Sequence, residues 1–216
     1  MRIGVLLGGC GLYDGSDPQE TVLLLLALEE AGEKPLLIAP DRPQDRTIDH
    51  LTGSAVEGET RVVLRESARL ARGAVRSLRE CRPQDLLALI IPGGYGPVIN
   101  FATGFARLGE TRRLLPEIAA FLDHFLQAGK PIGCVGLGEV PVRMRLGQEP
   151  EDADPTRPPE RPRVDADRPI VHTPGFTAYS RLGQVKAGIV AMVGEVLRRM
   201  EERGRRDATA SARSDR

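Results

Sequence analysis

Aromatic residues make up only 4% of this 216-residue chain and tryptophan is absent, so surfaces for stacking nucleic-acid bases are poorly supplied. No net charge compensates: 30 Lys and Arg face 30 Asp and Glu, whereas a general nucleic-acid-binding domain needs a basic surface. Long apolar runs are missing too. The longest, Val22 to Leu28, is far short of the roughly 20 residues that span a bilayer. Neither nucleic acid nor membrane is therefore an expected partner. Cysteine is scarce: Cys10, Cys81 and Cys134 are odd in number and show no CxxC spacing, which argues against a disulfide framework or a cysteine zinc site. His50, His124 and His172 are widely separated, and no two have metal-ligand spacing, so neither a metal nor a cofactor is expected. The first residues, Met-Arg-Ile-Gly-Val-Leu-Leu, enter a strand directly and lack a signal-peptide cleavage pattern. A cytoplasmic, reducing location is the expectation.

What is present is an alternation. Hydrophobic residues make up 41% of the chain, and 24 Gly with 17 Pro punctuate it, enough for one sizeable core with many tight turns. Strands are expected at Ile3–Leu7, Lys34–Ala39, Leu86–Ile91, Ile132–Val135 and Ile170–Thr173. Helices are expected at about Pro18–Gly32, Glu59–Arg72, Leu114–Ala128 and Gly183–Arg203. Strands alternating with helices give an α/β fold with a parallel sheet covered on both faces. The domain is expected to run over 1–203, with a Pro-rich, charged excursion at about 146–168 and a disordered tail at 204–216. Ligands of such sheets bind beyond the C-terminal strand ends, which gathers the loops Gly8–Gly11, Pro92–Gly96 and Gly136–Glu139.

The last of these loops is the most telling. Gly129-Lys-Pro-Ile-Gly-Cys-Val-Gly-Leu-Gly-Glu139 reads as a helix end, a buried strand and a tight turn into another helix. In many α/β enzymes such a strand ends at a nucleophile elbow carrying Ser or Cys. Here the elbow position is Gly136, which has no side chain.

Five ordered motifs, Gly-Gly-Cys-Gly-Leu-Tyr-Asp-Gly-Ser (8–16), Asp-His-Leu-Thr-Gly (49–53), Glu-Ser-Ala-Arg-Leu-Ala-Arg-Gly (66–73), Ile-Pro-Gly-Gly-Tyr-Gly (91–96) and Gly-Lys-Pro-Ile-Gly (129–133), resemble the ElbB-type glyoxalase-like proteins. These belong to the PfpI-like branch of the class I glutamine-amidotransferase-like superfamily. The resemblance covers roughly residues 1–145 and 168–200. It implies a flavodoxin-like three-layer sandwich, a homodimer, and a pocket where an elbow cysteine faces a glutamate of the first helix. In relatives that pairing is linked to glyoxalase-type chemistry on small 2-oxoaldehydes. Carried over residue by residue, the acid matches Glu20, the oxyanion-hole loop matches Gly93 and Gly94, and the elbow cysteine matches Gly136 rather than Cys134.

Two readings of the chemistry follow. In the first, the thiol chemistry is lost and the chain is a binding or regulatory homodimer. It would hold a small carbonyl or carboxylate ligand among Gly9, Gly11, Asp14, Gly93, Gly94, Tyr95 and Leu137, with Glu20 and Gly136 at the old catalytic centre. In the second, it is an active glyoxalase, converting a 2-oxoaldehyde to a 2-hydroxy acid, with Cys10 or Cys134 working beside Glu20. Cys134 would be a strand residue deeper than the elbow, and buried Cys is ordinarily an inert small hydrophobe. Cys10 is expected to face the same site, where a helix N-terminus would favour its thiolate. Glu20 alone would read as an ordinary first-turn acid, and Gly93, Gly94 and Gly96 as a tight strand-to-helix turn. His124 is expected on a helix surface, and His172 is the histidine worth testing as a general base. A third reading makes the chain an amidotransferase-like subunit of a partner protein, with the Pro-rich segment and the tail as docking elements.

Overall fold

A computed structural model describes residues 3–104, 112–149 and 154–214. Its strands are β1 (Ile3–Leu6), β2 (Leu36–Ala39), β3 (Ile48–Asp49), β4 (Ser54–Ala55), β5 (Val75–Ser77), β6 (Ala88–Ile91), β7 (Ala102–Thr103), β8 (Arg113–Leu114), β9 (Ile132–Val135), β10 (Arg163–Val164) and β11 (Ile170–Thr173). The helices are α1 (Pro18–Glu30), α2 (Val63–Leu70), α3 (Gly96–Ile99), α4 (Pro116–Gln127), α5 (Val140–Leu146) and α6 (Leu182–Ser214). Seven strands form one sheet in the order β10-β11-β9-β6-β1-β2-β5. Every pairing in it is parallel except that of β10 with β11.

The strands are apolar at almost every position because both faces of a parallel sheet are covered. Along β6, Ala88 and Ile90 enter one core while Leu89 and Ile91 enter the other. On the first face lie Leu24 and Leu28 of α1, Val63 of α2 and Val185, Ile189 and Val196 of α6. On the second lie Ile118, Leu122 and Phe125 of α4 and Val142 of α5. The result is a flavodoxin-like three-layer sandwich, as expected. The chain builds outward from β1 through β2 to β5, then crosses back to β6 and continues through β9 to β11. This reversal puts a crevice beyond the carboxyl ends of β1 and β6, the usual ligand position in open α/β sheets.

Several boundaries differ from expectation. The helix expected from Glu59 begins only at Val63, because residues 61–63 are drawn into extended pairing with 42–44: Gln44 N–H donates to Arg61 O (2.8 Å) and Val63 N–H to Arg42 O (2.9 Å). The small hairpins β3/β4 and β7/β8 are too short to show alternation in the sequence. Within the Pro-rich excursion, β10 joins the sheet edge, Arg163 opposite His172; positions 150–153 of that excursion lie outside the described residues. Finally, α6 continues to Ser214 instead of giving way to a tail at Gly204. A mid-helix Gly costs only about 1 kcal/mol, and the pairs Arg198–Glu202, Arg203–Asp207 and Arg205–Glu201 one turn apart support the exposed helix.

Candidate functional site

Gly136 stands where β9 ends, at the head of a 3-10 turn, Gly136–Glu139, that leads into α5. Its φ is +48°, left-handed backbone that costs any residue with a Cβ roughly 1–2 kcal/mol. This is the strained geometry of an elbow, held without a side chain. A Cβ on Gly136 would stand 3.5 Å from Glu20 Oε1 and 3.2 Å from Pro174 O. The strand end and the first-helix acid, 116 positions apart in the sequence, therefore meet.

The first turn of α1 explains how Glu20 arrives there. Asp17 is the N-cap, its Oδ1 accepting from Gln19 N–H (2.8 Å) and Glu20 N–H (3.0 Å), and Pro18 follows it with φ already suited to a helix. In a capping box the acid at the third helical position reaches back to the N-cap N–H. Here that N–H is taken by Gly93 O (2.9 Å). Glu20 turns instead toward the strand ends. Its Oε2 accepts from Gly93 N–H (3.1 Å) and its Oε1 from Phe176 N–H (2.9 Å). Gly175, with φ +56°, closes over the carboxyl so tightly that a Cβ there would lie 2.1 Å from Oε1.

Glu20 is 2% exposed and has no cationic partner among the described residues. Burial raises its pKa from 4.5 to about 7; the charge of Asp17 adds to the rise, while the N–H bonds from Phe176 and Gly93 only moderate it. The carboxyl is thus poised to hold or release a proton near neutral pH, as a general acid, a general base or a hydrogen-bond partner for a bound oxygen. No group of three or more His, Cys, Asp or Glu among the described residues is arranged to hold a metal ion.

The remaining expected residues divide into two sets. Gly93, Gly94 and Tyr95 follow β6, and Gly93 bonds Glu20 directly; Gly94 has φ +84°, packs against Gly15–Asp17 and its N–H takes no acceptor among the described residues, whereas Tyr95 N–H donates to Leu12 O (2.8 Å). Leu137 is the next residue after Gly136 and only partly buried. The loop after β1 is more scaffold than pocket. Asp14 is fully buried: its Oδ2 accepts from Ile48 N–H (2.9 Å) and its carbonyl from Asn100 Nδ2 (2.8 Å) and Gln44 Nε2 (3.2 Å). Asp14 thus ties the loop to the β3/β4 hairpin, where Tyr13 packs on the His50 ring at 5.2 Å. Gly9 N–H donates to Ser67 Oγ of α2 (3.1 Å), and Gly11 N–H to Ser16 O (3.0 Å).

Neither candidate thiol joins Glu20. Cys134 is fully buried within the core on the α4 side, and that burial pushes its pKa well above 9. Cys10, expected to face the site, lies instead near Arg69 and Glu66 of α2, and burial raises its pKa too. Both are therefore poor thiolates.

Sequence reasoning missed a second polar cluster under the elbow. His172 Nε2 lies 3.3 Å from Gly136 O and 3.7 Å from Glu139 Oε2. Glu139 Oε1 also binds Arg143 Nε (2.6 Å) and Arg163, and Arg143 Nη1 binds Asp165 (2.7 Å) and Gln148 (2.8 Å). The i, i+4 spacing of Glu139 and Arg143 was the available signal. Burial lowers the His172 pKa, which keeps the ring neutral at neutral pH. It props the elbow carbonyl from below and does not face Glu20's carboxyl through any hydrogen bond. His124, expected on a helix surface, is partly buried with Nε2 2.9 Å from Lys130 Nζ, a contact far from the elbow that pins the start of β9.

Known proteins fall in line with this architecture. No protein-family model matches the chain. The human glutamine amidotransferase-like class 1 domain-containing protein 3, mitochondrial, is 34% identical over 91% of this chain and 82% of its own length. An isoprenoid biosynthesis protein with an amidotransferase-like domain from Ehrlichia chaffeensis superposes with a TM-score of 0.83 at 30% identity, over 92% of this chain and 99% of that one. A DJ-1 superfamily protein of Salmonella typhimurium shares the fold alone, with a TM-score of 0.50 at 19% identity over 96% and 97% of the two chains. With a strand-end elbow, a first-helix glutamate and relatedness along nearly its whole length, the chain belongs to the glutamine amidotransferase-like class 1 domain family.

Proposed function

We propose that this chain is an ElbB-like member of the family that has lost cysteine-nucleophile chemistry and acts as a small-molecule-binding, regulatory homodimer. Its ligand is a small carbonyl or carboxylate compound held between Glu20, the Gly93–Gly94 loop and the elbow. The observation that carries this reading is the left-handed backbone at Gly136, whose missing Cβ would point to within 3.5 Å of Glu20 Oε1. A thiol there would complete the acid–thiol pair of the glyoxalase-like proteins. Without one, the donors and the carboxyl bind but have no nucleophile to assist. The burial of Cys134 and the position of Cys10 beside α2 speak against a relocated thiol.

The test is consumption of methylglyoxal and glyoxal by the wild type, Glu20→Gln and Gly136→Cys. The expected result is no turnover by the wild type and measurable turnover by Gly136→Cys. Wild-type turnover that falls in Glu20→Gln overturns the reading. Light scattering on the full chain reads the dimer. The free Cys10, Cys81 and Cys134 suit a reducing compartment. No helix among the described residues is long and apolar enough to cross a membrane. The human relative's name places that protein in mitochondria, so imaging of the tagged chain decides whether the cytoplasm is right for this one.

A further inference from the structure

Besides the two large cores that sandwich the sheet, a third apolar cluster stands by itself: Val98 and Ile99 of α3 with Val140 of α5, and Leu137 and Met144 packed against them. It does not sit under a helix–sheet interface. It lies beyond the strand ends, and the described residues do not fill it. A cavity of about 460 Å³ opens there, lined by Tyr95, Val98, Leu137, Val140 and Met144, with polar residues completing its wall. That volume lies within the roughly 300–1,000 Å³ typical of small-molecule sites.

The cavity is continuous in sequence with both arms of the elbow site. Tyr95 directly follows Gly94, whose N–H has no acceptor among the described residues, and Leu137 directly follows Gly136. A polar head placed between Gly94 and Gly136 would stand one residue along the chain from two wall residues of this cavity, Tyr95 and Leu137. We propose that the ligand is a 2-oxo carboxylic acid with an apolar tail, its head at the elbow and its tail in the α3–α5 cavity. This rests on the binding function proposed above and specifies its ligand class. A pyruvate-sized compound would use the head site only and leave most of the cavity unfilled.

The experiment is isothermal titration of the full chain with 2-oxopropanoate, 2-oxobutanoate, 2-oxohexanoate and 2-oxooctanoate at pH 6. Affinity should rise about fourfold for each added methylene until the cavity is full, the factor expected for about 0.8 kcal/mol per buried CH₂. Met144→Trp, which fills the cavity from a partly buried position, should abolish the gain beyond 2-oxobutanoate and leave 2-oxopropanoate within twofold. Leu137→Asn, which makes the wall polar without enlarging the side chain, should flatten the same series. Equal affinities along the wild-type series, or a length dependence that survives both substitutions, overturn the tail site and leave the binding function standing. Failure of every compound to bind the folded wild type overturns both.

Discussion

Two glutamates, Glu20 and Glu139, flank the elbow from opposite sides, each 2% exposed, and they have been given opposite electrostatic fates. Glu139 is wrapped by Arg143, Arg163 and His172; burial alone would raise its pKa, but these neighbours outweigh burial and hold it below 4.5. Glu20 receives two backbone N–H groups and, among the described residues, no cation, so burial wins and carries it to about 7. A buried carboxyl becomes a fixed anion or a proton holder according to whether a full positive charge stands beside it. The charge-paired acid braces the turn, and the unpaired one is the group that the proposed function assigns to a ligand.

The largest expected effect is on the braced side. Arg143→Leu removes the guanidinium that joins Glu139 to Asp165 and Gln148. Breaking a buried ion network by deleting one partner typically costs 3–5 kcal/mol, and urea denaturation at pH 7 should show a loss of about that size. A loss below about 1 kcal/mol would mean that Glu139 is no better held than Glu20, and the contrast collapses.

Next is the pH dependence of stability, where the two acids predict opposite signs. For Glu20 the folded pKa lies above the ordinary one, so the native state binds more protons between them. Its contribution is complete below pH 4.5 and is lost as pH rises through about 7, at about 1.36 kcal/mol per pH interval or about 3 kcal/mol in all. For Glu139 the folded pKa is depressed, so its contribution is present above pH 4.5 and lost as the pH falls below it. Glu20→Gln sharpens this. An amide offers one acceptor oxygen to the two N–H donors of Gly93 and Phe176, so the variant should be less stable than wild type by about 1–3 kcal/mol at pH 5. At pH 8, where the wild type has lost most of the Glu20 contribution, the gap should close or reverse. Denaturation curves at the two pH values that differ by the same amount would refute the assignment. Carboxylate binding should follow the same titration, weakening as Glu20 ionises and repels the ligand.

Much of this arrangement was legible and some was not, for reasons that lie in particular residues. β9 and β11 coincide with their expected spans because short, mainly apolar runs bounded by turns have few alternatives in a covered sheet. The Asp-Pro-Gln-Glu start of α1 announced the helix but not the use of Glu20, whose two partners lie 73 and 156 positions away. Gly136 was readable as an elbow because its place depends only on the strand before it. The Glu139–His172 cluster was not, since Arg163 comes from a strand hidden inside a Pro-rich, charged segment. The nearness of Cys10 to Arg69 and Glu66 was not legible, because the loop is anchored through Asp14 to Ile48 and through its backbone to Ser67, partners far along the chain.

A third way to probe the contrast is Gly136→Cys, read as stability rather than activity. A side chain at φ +48° with Pro174 O at 3.2 Å should cost about 1–2 kcal/mol. The introduced thiol should react with an aromatic disulfide reagent faster at pH 6 than the ordinary pH trend of thiols predicts, because above pH 7 ionised Glu20 opposes a second negative charge. Reaction that accelerates tenfold per pH interval straight through pH 7 would show that the two groups do not sense each other.

The smallest effect should come from Cys10→Ala. Cys10 is only partly buried, its charged neighbours are Arg69 and Glu66 of α2, Arg61 just before that helix and Asp14 of the first loop, and none of Glu20's hydrogen bonds involves it. Stability should stay within about 0.5 kcal/mol of wild type, as for a surface change away from any network, and affinity for 2-oxobutanoate within twofold. The wild-type thiol itself should label slowly, since burial disfavours its thiolate. A Cys10→Ala variant that loses ligand binding would place a thiol in the site after all and turn the uncompensated Glu20 from a ligand's partner into a cysteine's.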